Sequence, residues 1–352
     1  MPVSHSKKTL PQKLLGWYAQ HQRELPWRAK PGEAPNIYKV WLSEIMLQQT
    51  TVKAVIPYFE KFLKRWPDVK KLSKAKDEDV MAAWAGLGYY SRARKLIECA
   101  RLVAKHGDFP QTHDELLELP GIGPYTAAAI SSIALDVPAA VVDGNIERVV
   151  TRVYAIETPL TLAKKIIREH VTTLTPQKHS GDFAQAMMDL GATICTPRSP
   201  KCFLCPIQKI CDAFALQQQE RFPIKVKKAA RPKRFAAAYW IEKDGQILLR
   251  RRLPKGLLGG MAEIPSEGWS SDFIASNPLY RLAFEKLSGF VTHTFTHFDL
   301  EMSIFVTNAP KKFKTPDDTF WHPVKKIEDA GLPGVMMKVA RYALASKEKR
   351  AA

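Results

Sequence analysis

No run of apolar residues in this 352-residue chain reaches the roughly 18 needed to cross a bilayer. The opening residues, Met-Pro-Val-Ser-His-Ser-Lys-Lys, lack the apolar core of a signal peptide. A soluble, cytoplasmic protein with no membrane partner is therefore expected. Cysteine is scarce: there are five, and four of them fall within residues 195–211. A disulfide framework is not expected in an intracellular chain, so the crowded four point to a metal site instead. Acidic residues are also short, with 35 Asp and Glu against 53 Lys and Arg and a net charge of +18. Residues 1–225 hold 31 basic and 22 acidic side chains, and residues 226–352 hold 22 and 13, so each part carries +9. The excess is not one basic tail. Both parts can face the same polyanion, and nucleic acid is the leading candidate.

Hydrophobic residues make up 45% of the chain, enough for sizeable cores, and the length suits about two domains. Residues 1–9 read as a flexible tail. From Leu10 to about residue 220 the apolar spacing is helical, with turns such as Gly86–Gly88 and Pro120–Pro124 between segments. Residues 221–235, RFPIKVKKAARPKRF, hold seven Lys and Arg and two Pro and read as a basic linker. From residue 236 the period changes to that of strands. Two extended runs flank Asp244-Gly245, a hairpin signal, and VTHTFTHFDLEMSIFVT alternates like further strands. LPGVMMKVARYALAS reads as a closing helix, so residues 236–352 form an α+β domain.

Four short stretches carry chemistry. Cys195, Cys202, Cys205 and Cys211 can wrap one centre, and ligand type alone allows zinc or an iron–sulfur cluster. Arg198, Lys201 and Lys209 lie between these ligands and can grip phosphates. LPGIGPYTA, with Gly121 and Gly123, is a tight turn opening a helix, where outward N–H groups make an anion site. In NIYKVWLSEIMLQQT, residues 36–50, Glu44 lies on the stripe of Ile37, Trp41, Leu47 and Gln48. A carboxylate on an apolar stripe is desolvated, which favours the protonated form a general acid needs. In VVDGNIERV, Asp143 follows an apolar run and precedes a helix. An ordinary N-cap is the plain explanation. A capping carboxylate held by helix N–H groups also favours its ionised form, and Asn145 can orient it. One protonated and one ionised carboxylate is the pair that cleaves glycosidic bonds.

The cysteine spacing, the glycine turn and VVDGN together resemble the endonuclease III superfamily of helix–hairpin–helix DNA glycosylases. With WLSEIMLQQT added, the chain resembles that superfamily's MutY branch, the adenine DNA glycosylases, over nearly its whole length. The resemblance implies an all-α glycosylase domain over 10–220, with a helix–hairpin–helix at 116–135. It also implies a 4Fe-4S cluster on the loop 195–211 and a MutT-like, Nudix-type α+β domain at 236–352 for lesion recognition. The implied substrate is double-stranded DNA with adenine opposite 8-oxoguanine or guanine, bound by a monomer associated with the bacterial nucleoid. Strand-cutting relatives carry a lysine where Tyr125 stands here. A phenol cannot form the Schiff base, so the activity implied is monofunctional.

Residue by residue, the resemblance makes Glu44 the proton donor to adenine and Asp143 the stabiliser of the sugar cation. Asn145 orients Asp143, and Tyr125 lines the pocket. Gln48, Gln49, Thr50, Leu87 and Tyr89 are implied duplex contacts, with Trp27 and Arg28 at the pocket rim and Arg198 and Lys201 on the backbone. Phe295-Thr296-His297 matches a lesion-recognition loop that commonly has Ser at the central position. Residues 265–290 offer only Glu267, Asp272 and Glu285 for magnesium, so pyrophosphohydrolase activity is not expected. Two rivals remain: a mismatch thymine glycosylase, which would not need Glu44, and a non-catalytic iron–sulfur DNA-binding protein, which would need neither carboxylate.

Overall fold

The helical spacing folds as α1 (Leu10–His21), α2 (Ile37–Leu47), α3 (Val52–Arg65), α4 (Val69–Ser73), α5 (Asp77–Trp84) and α6 (Ser91–His106). There follow α7 (His113–Leu117), α8 (Pro124–Leu135), α9 (Gly144–Val153), α10 (Lys164–Leu174), α11 (Ser180–Thr193) and α12 (Asp212–Ala215). This computed structural model describes residues 5–30, 32–226, 230–253, 256–274 and 282–351. Asn36, Thr51, Asp68, Thr112 and Asp143 start their helices by accepting a backbone N–H on the side chain, which satisfies an otherwise orphaned donor.

The chain divides into two compact units, residues 1–77 with 92–228, and residues 78–91 with 229–352. In this division by spatial contact, residues 78–91 group with the second unit. The expected flexible tail is also shorter than 1–9. His5–Thr9 form a 3-10 turn, and Lys7 is buried in an ion pair with Asp212. The linker is trimmed at both ends. Phe222 is buried and its carbonyl accepts from Arg152 Nε, while the first strand already begins at Lys233. Residues 227–229 of that linker lie outside the described residues.

In the first unit α8 is the central helix. Its residues Ala127, Ala128, Ala129 and Ile130 are buried, and it packs against α2 and α11. Small residues let the helices close up. A Cβ on Gly181 of α11 would stand 2.4 Å from the Ser132 carbonyl oxygen of α8. α2, α8 and α9 thereby converge with their N- or C-terminal ends around one cavity.

The second unit is a mixed seven-stranded sheet. Its strands are β1 (Lys233–Lys243), β2 (Gln246–Arg251), β3 (Ala262–Glu263), β4 (Ser266–Ser270), β5 (Glu285–Thr294), β6 (Asp299–Asn308) and β7 (Thr319–Pro323). Asp244 (φ +50°) and Gly245 (φ +73°) make the expected hairpin turn between β1 and β2. β1 and β6 run parallel at the centre of the order β3-β2-β1-β6-β5. α13 (Gly334–Ala351) covers one face of the sheet with Val335, Met336, Val339, Ala340 and Ala343.

Candidate active site and cysteine loop

A cavity of about 580 Å³ in the first unit is lined by Glu44, Tyr125, Asp143 and Asn145, which sequence alone had picked out from three separate helices. A neighbouring cavity of about 650 Å³ shares Trp27, Arg28 and Gln185 with it but lacks Glu44 and Asp143. Glu44 lies on the buried face of α2, 6% exposed, and its Oε2 has no hydrogen-bond partner within the protein. Burial pushes its carboxyl up from 4.5 to about 7. The hydrogen bond from Tyr125 pulls the other way, the Asp143 charge adds to the rise, and Arg28 opposes it. Burial and the two carboxylates hold the Tyr125 phenol well above its ordinary range, so it remains a neutral donor to Glu44.

Asp143 is indeed the N-cap of α9, and its other oxygen is free for a second partner. Oδ1 accepts from Ile146 N at 2.7 Å, and Oδ2 accepts from Asn145 Nδ2 at 2.8 Å. Cap and pocket carboxylate are therefore one residue. Asn145 is fixed in turn by Arg148 Nη2 at 2.9 Å. The same guanidinium donates to the Gly191 carbonyl at 2.6 Å and, through Nε, to the Cys195 carbonyl at 2.7 Å. A Cβ on Gly191 would stand 2.6 Å from the Cβ of Asn145, so the α9–α11 crossing requires glycine there.

Trp27 and Arg28 belong to the pocket wall. Trp27 is 7% exposed and edge-on to Phe59. Arg28 grips the fully buried Asp189 through both terminal nitrogens at 2.6 and 2.7 Å, and Arg23 Nε adds a bond at 2.6 Å. These hydrogen bonds and charges outweigh burial and hold the Asp189 carboxyl below the usual range. Sequence reading missed Arg23, Asp189, Gln185 and Met188, the last two also lining the cavity. The available signal was Asp189 itself, a carboxylate between Met188 and Leu190 on a largely apolar helix, which calls for a cationic partner.

The helix–hairpin–helix is present, with its first helix ending at Leu117 rather than Leu119. Its glycines differ in purpose. Gly121 (φ +82°) occupies the left-handed region, and a Cβ there would meet Lys95 Cβ at 2.8 Å. Gly123, the N-cap of α8, carries no side-chain cap and faces open space, so a ligand can approach the first-turn N–H groups. Gln48 Nε2 donates to Thr126 Oγ1 at 3.3 Å, and Gln49 (φ +56°) is exposed in the loop after α2. Arg92, unforeseen, caps the end of α2 by donating to the Ile45 and Met46 carbonyls and to Thr50 Oγ1. In the other unit Tyr89 (φ +48°) is 49% exposed, whereas Leu87 is 6% exposed.

Arg198, Lys201 and Lys209 are exposed on the cysteine loop. Cys195, Cys202, Cys205 and Cys211 line one recess together with Val149, Leu190, Ile207 and Phe214. Arg152 Nη1 donates to Cys195 Sγ at 3.3 Å. Backbone N–H groups of Ile207 and of Phe214 and Ala213 point at Cys205 and Cys211. Burial pushes the Cys205 thiol up to about 12 and the Cys211 thiol up to about 11. Thiolates in this recess thus require a positive centre among them, which a metal group supplies. Among the described residues no three His, Cys, Asp or Glu side chains converge tightly enough for a single ion.

In the second unit Phe295 N donates to the Phe298 carbonyl at 2.9 Å, closing a turn whose Thr296 and His297 are exposed. Phe295 stacks on Phe298 with centroids 4.8 Å apart. Of the three acids noted for magnesium, Glu267 is engaged by the Tyr239 hydroxyl and Asp272 by Ser271.

Residues 42–177 match the HhH-GPD superfamily of base excision DNA repair proteins, and residues 236–342 match the NUDIX domain family. An adenine DNA glycosylase of Buchnera aphidicola from Acyrthosiphon pisum is 32% identical, covering 95% of this chain and 97% of that protein. The human adenine DNA glycosylase is 34% identical, covering 93% of this chain and 72% of that protein. Among solved structures, a thermostable thymine-DNA glycosylase has a TM-score of 0.54 at 29% identity, covering 60% of this chain and 97% of that one. A non-covalent endonuclease III–DNA complex has a TM-score of 0.50 at 20% identity, covering 62% of this chain and all of the other, and shares the fold. No helix among the described residues is long and apolar enough to cross a membrane. With a helix–hairpin–helix repair domain, a Nudix-type domain and relatives matched nearly end to end, the chain belongs to the adenine DNA glycosylase family, the MutY branch of its superfamily.

Proposed function

We propose that the protein is a monofunctional DNA N-glycosylase that hydrolyses adenine from duplex DNA where it stands opposite 8-oxoguanine or guanine. The observation that carries this reading is Glu44: a buried carboxyl held near 7, with an orphaned oxygen, in one cavity with a fixed Asp143.

Adenine must leave the helical stack to be reached. The N–H groups of the glycine turn anchor a phosphate, and Arg198 and Lys201 add backbone contacts. Gln49, Thr50 and Tyr89 serve at the bases left behind. In the cavity, protonated Glu44 gives its proton to N7 of adenine. The C1′–N9 bond breaks, its electron pair leaves with the neutral base, and the sugar becomes an oxocarbenium ion. Asp143 stabilises that cation, held in place by Asn145 and by Ile146 N. Glu44, now ionised, takes a proton from water, whose oxygen bonds to C1′. Tyr125 positions Glu44 and offers no amine, so no Schiff base forms and the product is an abasic site.

Cys195, Cys202, Cys205 and Cys211 are the residues that would hold a 4Fe-4S cluster. Bound there, the group compensates the thiolates and fixes the loop, and the hydrolysis itself transfers no electrons. Phe295, Thr296 and His297 meet the 8-oxoguanine.

The test is adenine release from a defined duplex. An 8-oxoguanine:A substrate should lose free adenine and yield a strand that breaks only after alkali. Release of thymine from G:T with adenine untouched would replace this reading with the thymine glycosylase. No base release from any mispair would leave the non-catalytic alternative.

A further inference from the structure

β4 departs from regular pairing at one residue. Ala236 of β1 faces Gly268 and Phe235 faces Ser270, so Trp269 is the extra residue of a β-bulge. Its φ is +72°, a region that a bulky side chain avoids. Gly268 before it has φ +90°, and a Cβ there would fall 2.4 Å from the Phe273 ring. Such strain persists only where neighbours impose it.

Here they do. Glu263, 1% exposed, accepts from Arg250 Nη2 at 2.6 Å, Arg252 Nη1 at 2.5 Å and Ser266 Oγ at 3.0 Å. Ser266 Oγ receives Trp269 Nε1 at 3.2 Å, and the Arg252 guanidinium lies over the indole, 5.0 Å from its centre. The buried carboxylate thus holds both partners of the indole. The ring is delivered onto Phe295, with centroids 6.0 Å apart, and Phe295 continues the stack to Phe298. Arg234 lies over Phe298 at 4.2 Å and closes the far end.

We propose that Trp269 is a positioning residue for the loop Phe295-Thr296-His297, and that the bulge exists to aim its ring at the base of that loop. This rests on the reading of that loop as the contact to 8-oxoguanine. Thr296 and His297 lie exposed at the tip of the turn. Their placement comes from Phe295, which is braced by the indole, by Phe298 and by the edge of His293, 4.7 Å away between centroids.

The test uses the full chain and single-turnover adenine release from 8-oxoguanine:A and G:A duplexes. Trp269→Gly removes the ring while suiting the positive φ, so a folding defect is not built in. It should lower the preference for 8-oxoguanine:A by about three- to tenfold, the worth of an aromatic contact, with the G:A rate unchanged. Trp269→Phe should restore most of the preference. Thr296→Ala combined with His297→Ala is the reference for the loop itself. If that pair lowers the preference and Trp269→Gly does not, the proposal is overturned while the loop reading stands. If neither changes it, the loop reading fails and takes the proposal with it. Equal slowing on both duplexes would make the indole a general packing residue and also overturn it.

Discussion

Replacing Glu44 by Gln should slow catalysis severely and, at alkaline pH, stabilise the fold. In the native state burial holds the carboxyl at about 7, against 4.5 in the unfolded chain. The folded protein therefore binds this proton more tightly than the unfolded one. Stability from it is complete below pH 4.5, declines as pH rises towards 7, and is gone above it. At about 1.4 kcal/mol per pH unit, the gap between 4.5 and about 7 amounts to ~3 kcal/mol that ionised Glu44 costs the fold at pH 8. Gln keeps the shape and removes the charge. Thermal melts should show Glu44→Gln several degrees more stable than wild type at pH 8, with the difference vanishing near pH 4. Adenine release should fall by about 10²–10⁴, the usual worth of a general acid. The wild-type rate should drop tenfold per pH unit above about 7 as the proton donor is lost, and the residual rate of the mutant should lack that limb. Wild-type activity in Glu44→Gln, or a lower melting temperature at pH 8, would refute the argument that burial prepares this residue as the acid.

Tyr125→Phe removes a hydrogen bond that lowers the Glu44 pKa, so the alkaline limb of the pH–rate profile should move to higher pH; wild-type enzyme mixed with substrate and borohydride should give no trapped complex. Gly191→Ala drives a methyl group against Asn145 and should cut the single-turnover rate at least tenfold, with duplex affinity by gel shift unchanged. Arg198→Ala and Lys201→Ala should each reduce the slope of log affinity against log salt by about 0.9, if each neutralises one phosphate. Cys205→Ser should lower both the iron content and the visible absorption of the purified protein, measured directly without an activity assay.

What the sequence disclosed was local. Glu44 is legible because a carboxylate on an apolar helical stripe is anomalous within eleven residues, and Asp143 because its cap geometry is written into Asp-Gly-Asn. The glycine turn and the cysteine spacing are equally short-range. The Arg23, Arg28 and Asp189 pairing was not legible, since its partners lie 166 and 161 residues apart and only folding brings them together. The burial of Leu87 was not legible for the related reason that a turn reports backbone shape and not which side chain the fold will cover. The bulge at Trp269 lies in Ser-Glu-Gly-Trp-Ser, which carries no strand pattern of its own and becomes a strand only by pairing with β1.

Arg148 joins the local and the long-range signals. It binds Asn145 three residues before it and the carbonyls of Gly191 and Cys195 more than forty residues after it. The Cys195 backbone therefore fixes the guanidinium, the guanidinium fixes Asn145, and Asn145 fixes Oδ2 of Asp143. A shift of the cysteine loop would reach the Asp143 carboxylate through hydrogen bonds alone, without any electron changing hands. Under the proposed function the loop then serves the chemistry as a mount, beside the phosphate contacts proposed for Arg198 and Lys201.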